Sequence, residues 1–369
     1  MILSQHRGAA VLGGQQLRSF RRELLAWYAQ NARDLPWRRT RDPYCIWVSE
    51  IMLQQTRVAA VVERYRIFVE RFPSLMALAL AEESEVLAAW SGLGYYKRAH
   101  QLHSAAQFVL WNHAGTLPQT AEALRKLPGI GVYTAAAIAS IAFDEPVAVV
   151  DGNVERVLAR LLGTNKEGKL PSQAAMRLAA EQLLAVDQPG TFNQAMMELG
   201  ATVCLPQNPG CGQCPIRERC VTQGEHPVAP RRPIRSRQVA YALVRRGKGR
   251  PGNVEVLLQQ RPSDAAQMPG MWELPEVEDG LVEKMEPVLR ARHAITNTNH
   301  YVCVYAFDLP PEEVLQGHRM QQWANADTLL KVPLTGLARK VLMRMDILPR
   351  PKSIRTDRGI PATYDPLLI

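Results

Sequence analysis

The chain has 369 residues, 47% of them hydrophobic and 21% charged, a length that suits two domains better than one core and a balance unlike collagen, a disordered chain or a small disulfide scaffold. No stretch approaches the roughly 18 consecutive apolar residues of a membrane span. Lys and Arg total 44 against 35 Asp and Glu, a net charge of +9, which suits a polyanionic partner because each neutralised phosphate releases counterions.

Residues 1–16 read as a flexible tail, with an apolar stretch too short for a signal-peptide core. Within its end, Gln16-Leu17-Arg18-Ser19-Phe20 loosely resembles a sliding-clamp-binding peptide and equally fits the start of an amphipathic helix. From Leu17 to about Leu199 the pattern is helical, with Leu24, Leu25, Trp27 and Tyr28 opening one run and Val58, Val61, Val62, Tyr65, Phe68 and Val69 another. Breaks fall at Leu35-Pro36, Phe72-Pro73, Leu117-Pro118, Leu127-Pro128-Gly129 and Glu145-Pro146. The texture changes after Cys220. Residues 221–238 hold Pro227, Pro230 and Pro233 among basic residues and read as a linker. Eight basic residues and no acidic one lie between Arg231 and Arg250, fit either for a solvated face or for DNA. Residues 239–348 form an α+β pattern, with strands at Val239–Val244, Val254–Gln259 and Tyr301–Phe307 and helices near Val282–Arg292 and Leu334–Met345. Residues 349–369 are a basic tail.

Four strings carry chemistry. Cys204, Cys211, Cys214 and Cys220 are spaced C-x6-C-x2-C-x5-C; four thiolates this close can surround one cubane cluster or one zinc ion. Leu127-Pro128-Gly129-Ile130-Gly131 reads as a helix end, a glycine turn and a new helix start, where exposed backbone N–H groups form an anion site; a plain helix turn is the alternative. About twenty residues on comes Val149-Val150-Asp151-Gly152-Asn153, an acid after an apolar run. Glu50 lies among apolar residues in Val48-Ser49-Glu50-Ile51-Met52-Leu53-Gln54-Gln55-Thr56, at what reads as a helix start, where Ser49 or Glu50 also suits a simple capping role.

Taken together, Leu35-Pro36-Trp37-Arg38, the Glu50 string, Gly92-Leu93-Gly94-Tyr95-Tyr96, the Gly129–Gly131 turn, Asp151 and the cysteine spacing resemble the MutY adenine DNA glycosylases, over about Leu17 to Cys220. The resemblance implies a mainly α N-terminal helix–hairpin–helix glycosylase domain, 17–220, with a [4Fe–4S] loop on the four cysteines. It implies an α+β Nudix-like C-terminal domain, 239–348, for which Gly270-Met271-Trp272-Glu273-Leu274-Pro275 is the matching turn. The acidic pairs of a Nudix box are absent from Glu276 to Glu286, so recognition rather than pyrophosphate hydrolysis is expected of it. The implied activity is hydrolysis of the N-glycosidic bond of adenine opposite 8-oxoguanine or guanine in duplex DNA, by a monomer in the bacterial cytoplasm.

By position, Glu50 resembles the general acid and Asp151 the carboxylate that stabilises a cationic sugar. Tyr133 and Asn153 resemble residues that line the site. Arg38 and Gln194 fall near the adenine edge, Leu53 packs on the base, and Gln54 belongs to the same DNA-binding string. Gln55 and Tyr95 match residues that wedge into the base stack, and Gly129 and Gly131 hold a phosphate. Tyr133 stands where the lyase branch of the fold carries a Schiff-base lysine, so no lyase step is expected. The lesion-reading loop is expected at Thr296 and Asn297, without the usual aromatic residue. The competing readings are a related glycosylase for another mispaired or oxidised base, a non-catalytic DNA-binding protein on this fold, and a Nudix hydrolase.

Overall fold

The computed structural model describes residues 12–349 apart from 166, 227–233, 248–253, 263, 266–267, 296–297 and 317–318. The chain divides into two compact units, Met1–Leu80 with His100–Ala229, and Ala81–Ala99 with Pro230–Ile369. The second unit therefore takes a segment from the middle of the helical half. There Tyr96, 2% exposed, donates its hydroxyl hydrogen to the Leu334 carbonyl at 3.0 Å.

The helical half runs α1 Gly14–Asn31, α2 Pro43–Leu53, α3 Val58–Arg71, α4 Leu75–Ala79, α5 Glu83–Ala89, α6 Lys97–Asn112, α7 Ala121–Leu124, α8 Val132–Phe143, α9 Gly152–Leu162, α10 Gln173–Leu183 and α11 Pro189–Thr202. Helix α1 starts three residues before Leu17, inside the expected tail. Its Phe20 is wholly buried against Phe192, 6.3 Å between ring centroids, so the Gln16–Phe20 string serves the core as a helix start. Helix α2 is apolar on every side and accordingly buried. Its first turn is set by Pro43 at N1 and by Asp42, whose side chain accepts from the Tyr44 N–H at 2.8 Å. Glu50 thus sits in the last turns of α2, not at its start, and the capping explanation of Glu50 falls away.

One core joins Phe20, Leu24 and Tyr28 of α1 to Val154, Val157 and Leu158 of α9, Met176 and Ala179 of α10, and Phe192, Ala195 and Leu199 of α11. Helix α11 approaches its neighbours through glycine. A Cβ on Gly190 would lie 2.5 Å from the Ser140 carbonyl oxygen of α8, and one on Gly200 would lie 2.6 Å from Asn153 Cβ of α9. Backbones this close bring the polar residues of three helices into one place.

The second unit is built on a mixed sheet of β1 Arg235–Arg246, β2 Glu255–Gln260, β3 Trp272–Glu273, β4 Glu276–Val277, β5 Leu289–Ile295, β6 Thr298–Phe307 and β7 Gln321–Ala324, with α12 Asp279–Val282, α13 Glu312–Gln316, α14 Ala326–Lys331 and α15 Gly336–Arg344. The main order is β3-β2-β1-β6-β5; β4 also pairs with β1 and β7 with β2. Strand β1 lies parallel to β6, Val239 opposite Val302. It is covered on both faces: Val239, Tyr241 and Leu243 face a core with Leu337, Val341 and Leu342 of α15, and Ala240, Ala242 and Val244 face Val282 and Val314. This is why Val239–Val244 reads as a continuous apolar run. Strand β1 also takes Arg235–Gln238 from the expected linker. There Arg237 pairs with Glu276 at 2.8 Å, while Arg246 pairs with Glu255 at 2.7 Å and stacks 4.3 Å over Trp323; these arginines serve the sheet.

The helix expected at Val282–Arg292 is not formed. Pro287 offers no N–H and disfavours helical geometry at Glu286. After it, Leu289, Ala291 and His293 alternate with Arg290 and Arg292 in β5, antiparallel to β6. That pairing ends with Ile295 opposite Thr298. Thr296 and Asn297, the expected lesion-reading pair, lie outside the described residues.

Candidate active site

The site begins with a carboxyl group in an apolar place. Glu50, 4% exposed, stands among Val48, Ile51 and Met52 of α2. Burial pushes its carboxyl up to about 7, and the nearby charge of Asp151 adds to the rise; the hydrogen bond from Tyr133 and the positive charge of Arg38 oppose it. Tyr133, in the first turn of α8, donates its hydroxyl hydrogen to Glu50 Oε2 and lies 3.8 Å from Met197 Sδ of α11. Burial first, then the charges of Glu50 and Asp151, hold the Tyr133 phenol well above its ordinary value, so it remains a donor.

Asp151 caps α9. Its Oδ1 accepts from the Val154 N–H at 2.7 Å, and its Oδ2 accepts from Asn153 Nδ2 at 2.9 Å. Both bonds suit the ionised form and fix the side chain's direction. Asn153 is gripped in turn: Arg156 Nη2 donates to Asn153 Oδ1 at 2.9 Å and to the Gly200 carbonyl at 2.7 Å. Behind Asp151, the buried Asn193 of α11 straps the preceding strand-like segment. It accepts from the Val149 N–H at 3.1 Å and donates to the Val147 carbonyl at 2.9 Å and to Ser140 Oγ at 2.9 Å. Sequence reading missed Asn193 and Arg156, which carry no motif and gain meaning only through helix contacts.

A second polar group lies around α1 and α11. Arg38 Nη2 donates to Glu198 Oε2 at 2.8 Å, its guanidinium lies 5.4 Å from the Tyr28 ring centroid, and Tyr28 donates to Gln194 Oε1 at 3.4 Å. The structure thus links Arg38 to Gln194 through Tyr28 and anchors Arg38 on Glu198, two residues that sequence reading did not single out as site residues. Although burial alone raises a carboxyl, Arg33 and Arg38 hold that of Glu198 down to about 2.

The remaining candidates fall on the rim or elsewhere. Leu53 ends α2, and Gln54 follows it, with Nε2 3.3 Å from Thr134 Oγ1. Gln55 is exposed with φ +54°, and Tyr95, in the second unit, is 44% exposed with φ +48°. Both hold a backbone conformation costly for side chains other than glycine, and both present their side chains outward. Gly129 has φ +73°, and a Cβ there would meet Gln101 Cβ at 2.8 Å; Gly131 has ordinary φ and precedes the first turn of α8. The turn thus needs glycine at Gly129 for conformation, while Gly131 marks where the N–H groups of α8 open.

Cys204, Cys211, Cys214 and Cys220 are half-buried and line one pocket with Arg160, Val203 and Arg217. The loop is tied to α9: Arg160 Nη1 lies 3.2 Å from Cys204 Sγ and 2.7 Å from the Leu205 carbonyl, and Arg156 Nε donates to the Cys204 carbonyl at 2.7 Å. Burial pushes the Cys214 thiol up to about 11, and the neighbouring thiols add to it. Among the described residues, no group of three or more His, Cys, Asp or Glu is arranged to hold a single metal ion. Arg219 pairs with Glu23 of α1.

Residues 48–184 match the model of the HhH-GPD superfamily of base excision DNA repair proteins. The chain is 41% identical over 313 residues to the adenine DNA glycosylase of Mus musculus, covering 70% of this chain and 60% of that protein. It is 49% identical over 216 residues to the adenine DNA glycosylase of Homo sapiens, covering 56% and 39%. It therefore spans about three-fifths or less of the length of these relatives. Among solved structures it resembles a thermostable thymine-DNA glycosylase, at 31% identity and a TM-score of 0.53, over 57% of this chain and 97% of that one. Adenine DNA glycosylases of this likeness occur in Mus musculus and Homo sapiens as well as in Buchnera aphidicola, so the resemblance does not single out bacteria. With a helix–turn–helix start at Gly129–Gly131, an acid capping α9, and a solved glycosylase matched almost end to end, the chain belongs to the HhH-GPD superfamily of base excision DNA repair proteins.

Proposed function

We propose that this chain is a monofunctional adenine DNA glycosylase of base excision repair, acting on adenine opposite 8-oxoguanine or guanine. The observation that carries the reading is the pair formed by Glu50, neutral to about pH 7, and Asp151, whose two oxygens accept from Asn153 Nδ2 and the Val154 N–H. A buried carboxyl that keeps its proton, set beside a second carboxyl held by two N–H donors, is what a glycosidic cleavage needs. Adenine leaves once a ring nitrogen is protonated. Glu50 supplies that proton, with Tyr133 orienting its other oxygen. The sugar then gains positive charge at C1′, which Asp151 offsets while Asn153 keeps its carboxylate aimed. Water completes the hydrolysis. Tyr133 offers no amine at that position to attack C1′, and the proposed product is an intact abasic site.

The base reaches this pocket only outside the duplex. Gln55 and Tyr95, outward and conformationally strained, suit the wedge role, and the α8 start at Gly131 suits a phosphate. Arg38, Gln194 and Leu53 are assigned to the base itself, and Gln54 to the DNA-binding rim. Thr296 and Asn297 are assigned to the opposite-strand lesion. The four cysteines suit a [4Fe–4S] cluster better than zinc, because their spacing holds one C-x2-C pair where structural zinc more often has two. Cys204, Cys211, Cys214 and Cys220 would hold the cluster, which would cross-link the loop; Arg156 and Arg160 of α9 tie that loop to the helix. Iron and acid-labile sulfide analysis tests this: about four iron atoms per chain are expected for a cubane, and one zinc with no sulfide rejects it.

A second reading, thymine excision, has the solved thymine-DNA glycosylase in its favour. Single-turnover alkali scission separates the two. Duplexes carry adenine opposite 8-oxoguanine, guanine or thymine, and thymine opposite guanine. Release of adenine opposite 8-oxoguanine, lost in Glu50→Gln and Asp151→Asn, is expected. Release of thymine alone transfers the assignment to the second reading.

A further inference from the structure

We propose that Glu198 is a positioning residue for base excision, a buried clamp that fixes the Arg38 guanidinium beside Tyr28 and Gln194 so that it meets the extruded base. The inference rests on the adenine reading and deepens it, by naming what holds the base-reading edge in place.

The carboxylate of Glu198 is fully enclosed, at 0% side-chain exposure. Its Oε1 accepts from the Arg33 backbone N–H at 3.0 Å and from Arg33 Nε at 2.7 Å; its Oε2 accepts from Arg33 Nη2 at 2.7 Å and from Arg38 Nη2 at 2.8 Å. Four donors fill the lone-pair positions of a carboxylate. Glu198 therefore has no capacity left for a substrate and acts only through what it holds. Arg33 is itself 37% exposed at its side chain, whereas Arg38 is 14% exposed, and Arg38 Nη1 donates to the Arg33 carbonyl at 3.1 Å. Arg33 closes the outer side of the clamp and Arg38 is the enclosed member.

Arg38 then points two ways. It stacks on Tyr28, whose hydroxyl bonds to Gln194, and its charge reaches Glu50. Gln194 and Glu198 are four residues apart in α11, one turn on the same face. Freed from its carboxylate, the Arg38 guanidinium keeps its charge, but its rotamer-rich stem is no longer held in one geometry. A buried ion pair is weak evidence for stability, since apolar substitutes often serve as well. Its presence beside the proposed base pocket is better explained by the need for a fixed cation.

The test is a double-mutant cycle on the cluster-loaded, full-length chain: Glu198→Gln, Arg38→Ala, and both together. Single-turnover adenine release opposite 8-oxoguanine is measured, together with the Kd for a duplex bearing non-cleavable 2′-fluoro-2′-deoxyadenosine opposite 8-oxoguanine. Melting temperature is recorded for each variant. The expected result is a rate loss of about tenfold or more for each single variant, a Kd changed less than threefold, and no further rate loss in the double variant, as for residues acting as one unit. Glu198→Asp, which keeps the charge, is expected to retain more rate than Glu198→Gln, and it carries the comparison if Glu198→Gln does not fold. Losses that multiply in the double variant overturn the clamp. A rate loss in Glu198→Gln that merely follows a lowered melting temperature, with Glu198→Asp equally slow, overturns it too. Wild-type protein that releases no adenine overturns the adenine reading first and this inference with it.

Discussion

A carboxyl group that keeps its proton to about pH 7 is the most consequential residue-level feature of this protein. Glu50 has this property because α2 is apolar all round and leaves it no water. The proposed acid role uses its protonated form. The single-turnover rate is therefore expected to stay level below pH 7 and to fall about tenfold per pH unit above it, which a rate profile from pH 5.5 to 9 checks. The same shift has a stability consequence. The folded state binds this proton more tightly than the unfolded chain, whose Glu titrates near 4.5. That contribution is complete below 4.5 and is lost as pH rises through 7. Glu50→Gln cannot ionise, so above pH 7 it is expected to be more stable than wild type, by up to ~3 kcal/mol, while its excision rate falls ~100-fold or more. Thermal melts of both proteins at pH 5 and pH 8 read the difference; an equal gap at both values counts against the buried proton. Tyr133 predicts a negative result at the same scale: borohydride is expected to trap no covalent complex with cleavable DNA, whereas Tyr133→Lys supplies an amine at that position.

Helix α11 organises the site at the scale of elements. It brings Asn193 to the segment before Asp151, Met197 to Tyr133, Glu198 to Arg38, and the bare backbone of Gly200 to Asn153. Gly200→Ala places a methyl group 2.6 Å from Asn153 Cβ and 2.9 Å from its carbonyl oxygen. Neither neighbour is a flexible chain end, so α9 and α11 must separate. A loss of about 1–3 kcal/mol is expected from such overpacking, with an excision defect larger than the melting shift accounts for, because Asn153 aims Asp151. Urea unfolding and single-turnover rates on the same preparation decide this. Gly129→Ala acts on a different property. Its positive φ and its contact with Gln101 place the strain in the turn before α8, so duplex affinity is expected to weaken more than the rate at saturating protein. Unchanged affinity removes the phosphate role from the turn.

Across the whole molecule, the helical half does not stand free of the rest of the chain. Ala81–Ala99 belongs with the sheet-bearing unit, and the buried Tyr96 bonds to the Leu334 carbonyl there. A fragment ending near His226 keeps Glu50 and Asp151 and leaves this segment without that partner. Faster amide exchange across residues 81–99 is expected in the fragment, with α8, α9 and α11 still protected. Because Tyr95 lies in that segment, extrusion of the base is expected to slow as well. Equal protection of 81–99 in the fragment and the full chain rejects this dependence.

Much of the candidate site is legible in the sequence alone because it depends on residues close in the chain. The cysteine spacing, the glycine turn before α8, Asp151 with Asn153, and the apolar surroundings of Glu50 are all local patterns. The helical and sheet-bearing halves were equally readable from their periodicity. The Val282–Arg292 stretch misled, because three-residue apolar spacing resembled a helix while Pro287 and the pairing with β6 decided for a strand. Glu50's place late in α2 depended on a cap at Asp42, eight residues earlier. Tertiary structure alone could join Arg38 to Glu198, Asn193 to Val149, or residues 81–99 to the second unit. These contacts span 44 to about 240 residues, and no local pattern encodes them. They arise where two backbones approach at a glycine or a buried polar group must find its partner, and both requirements come into being only when the helices pack.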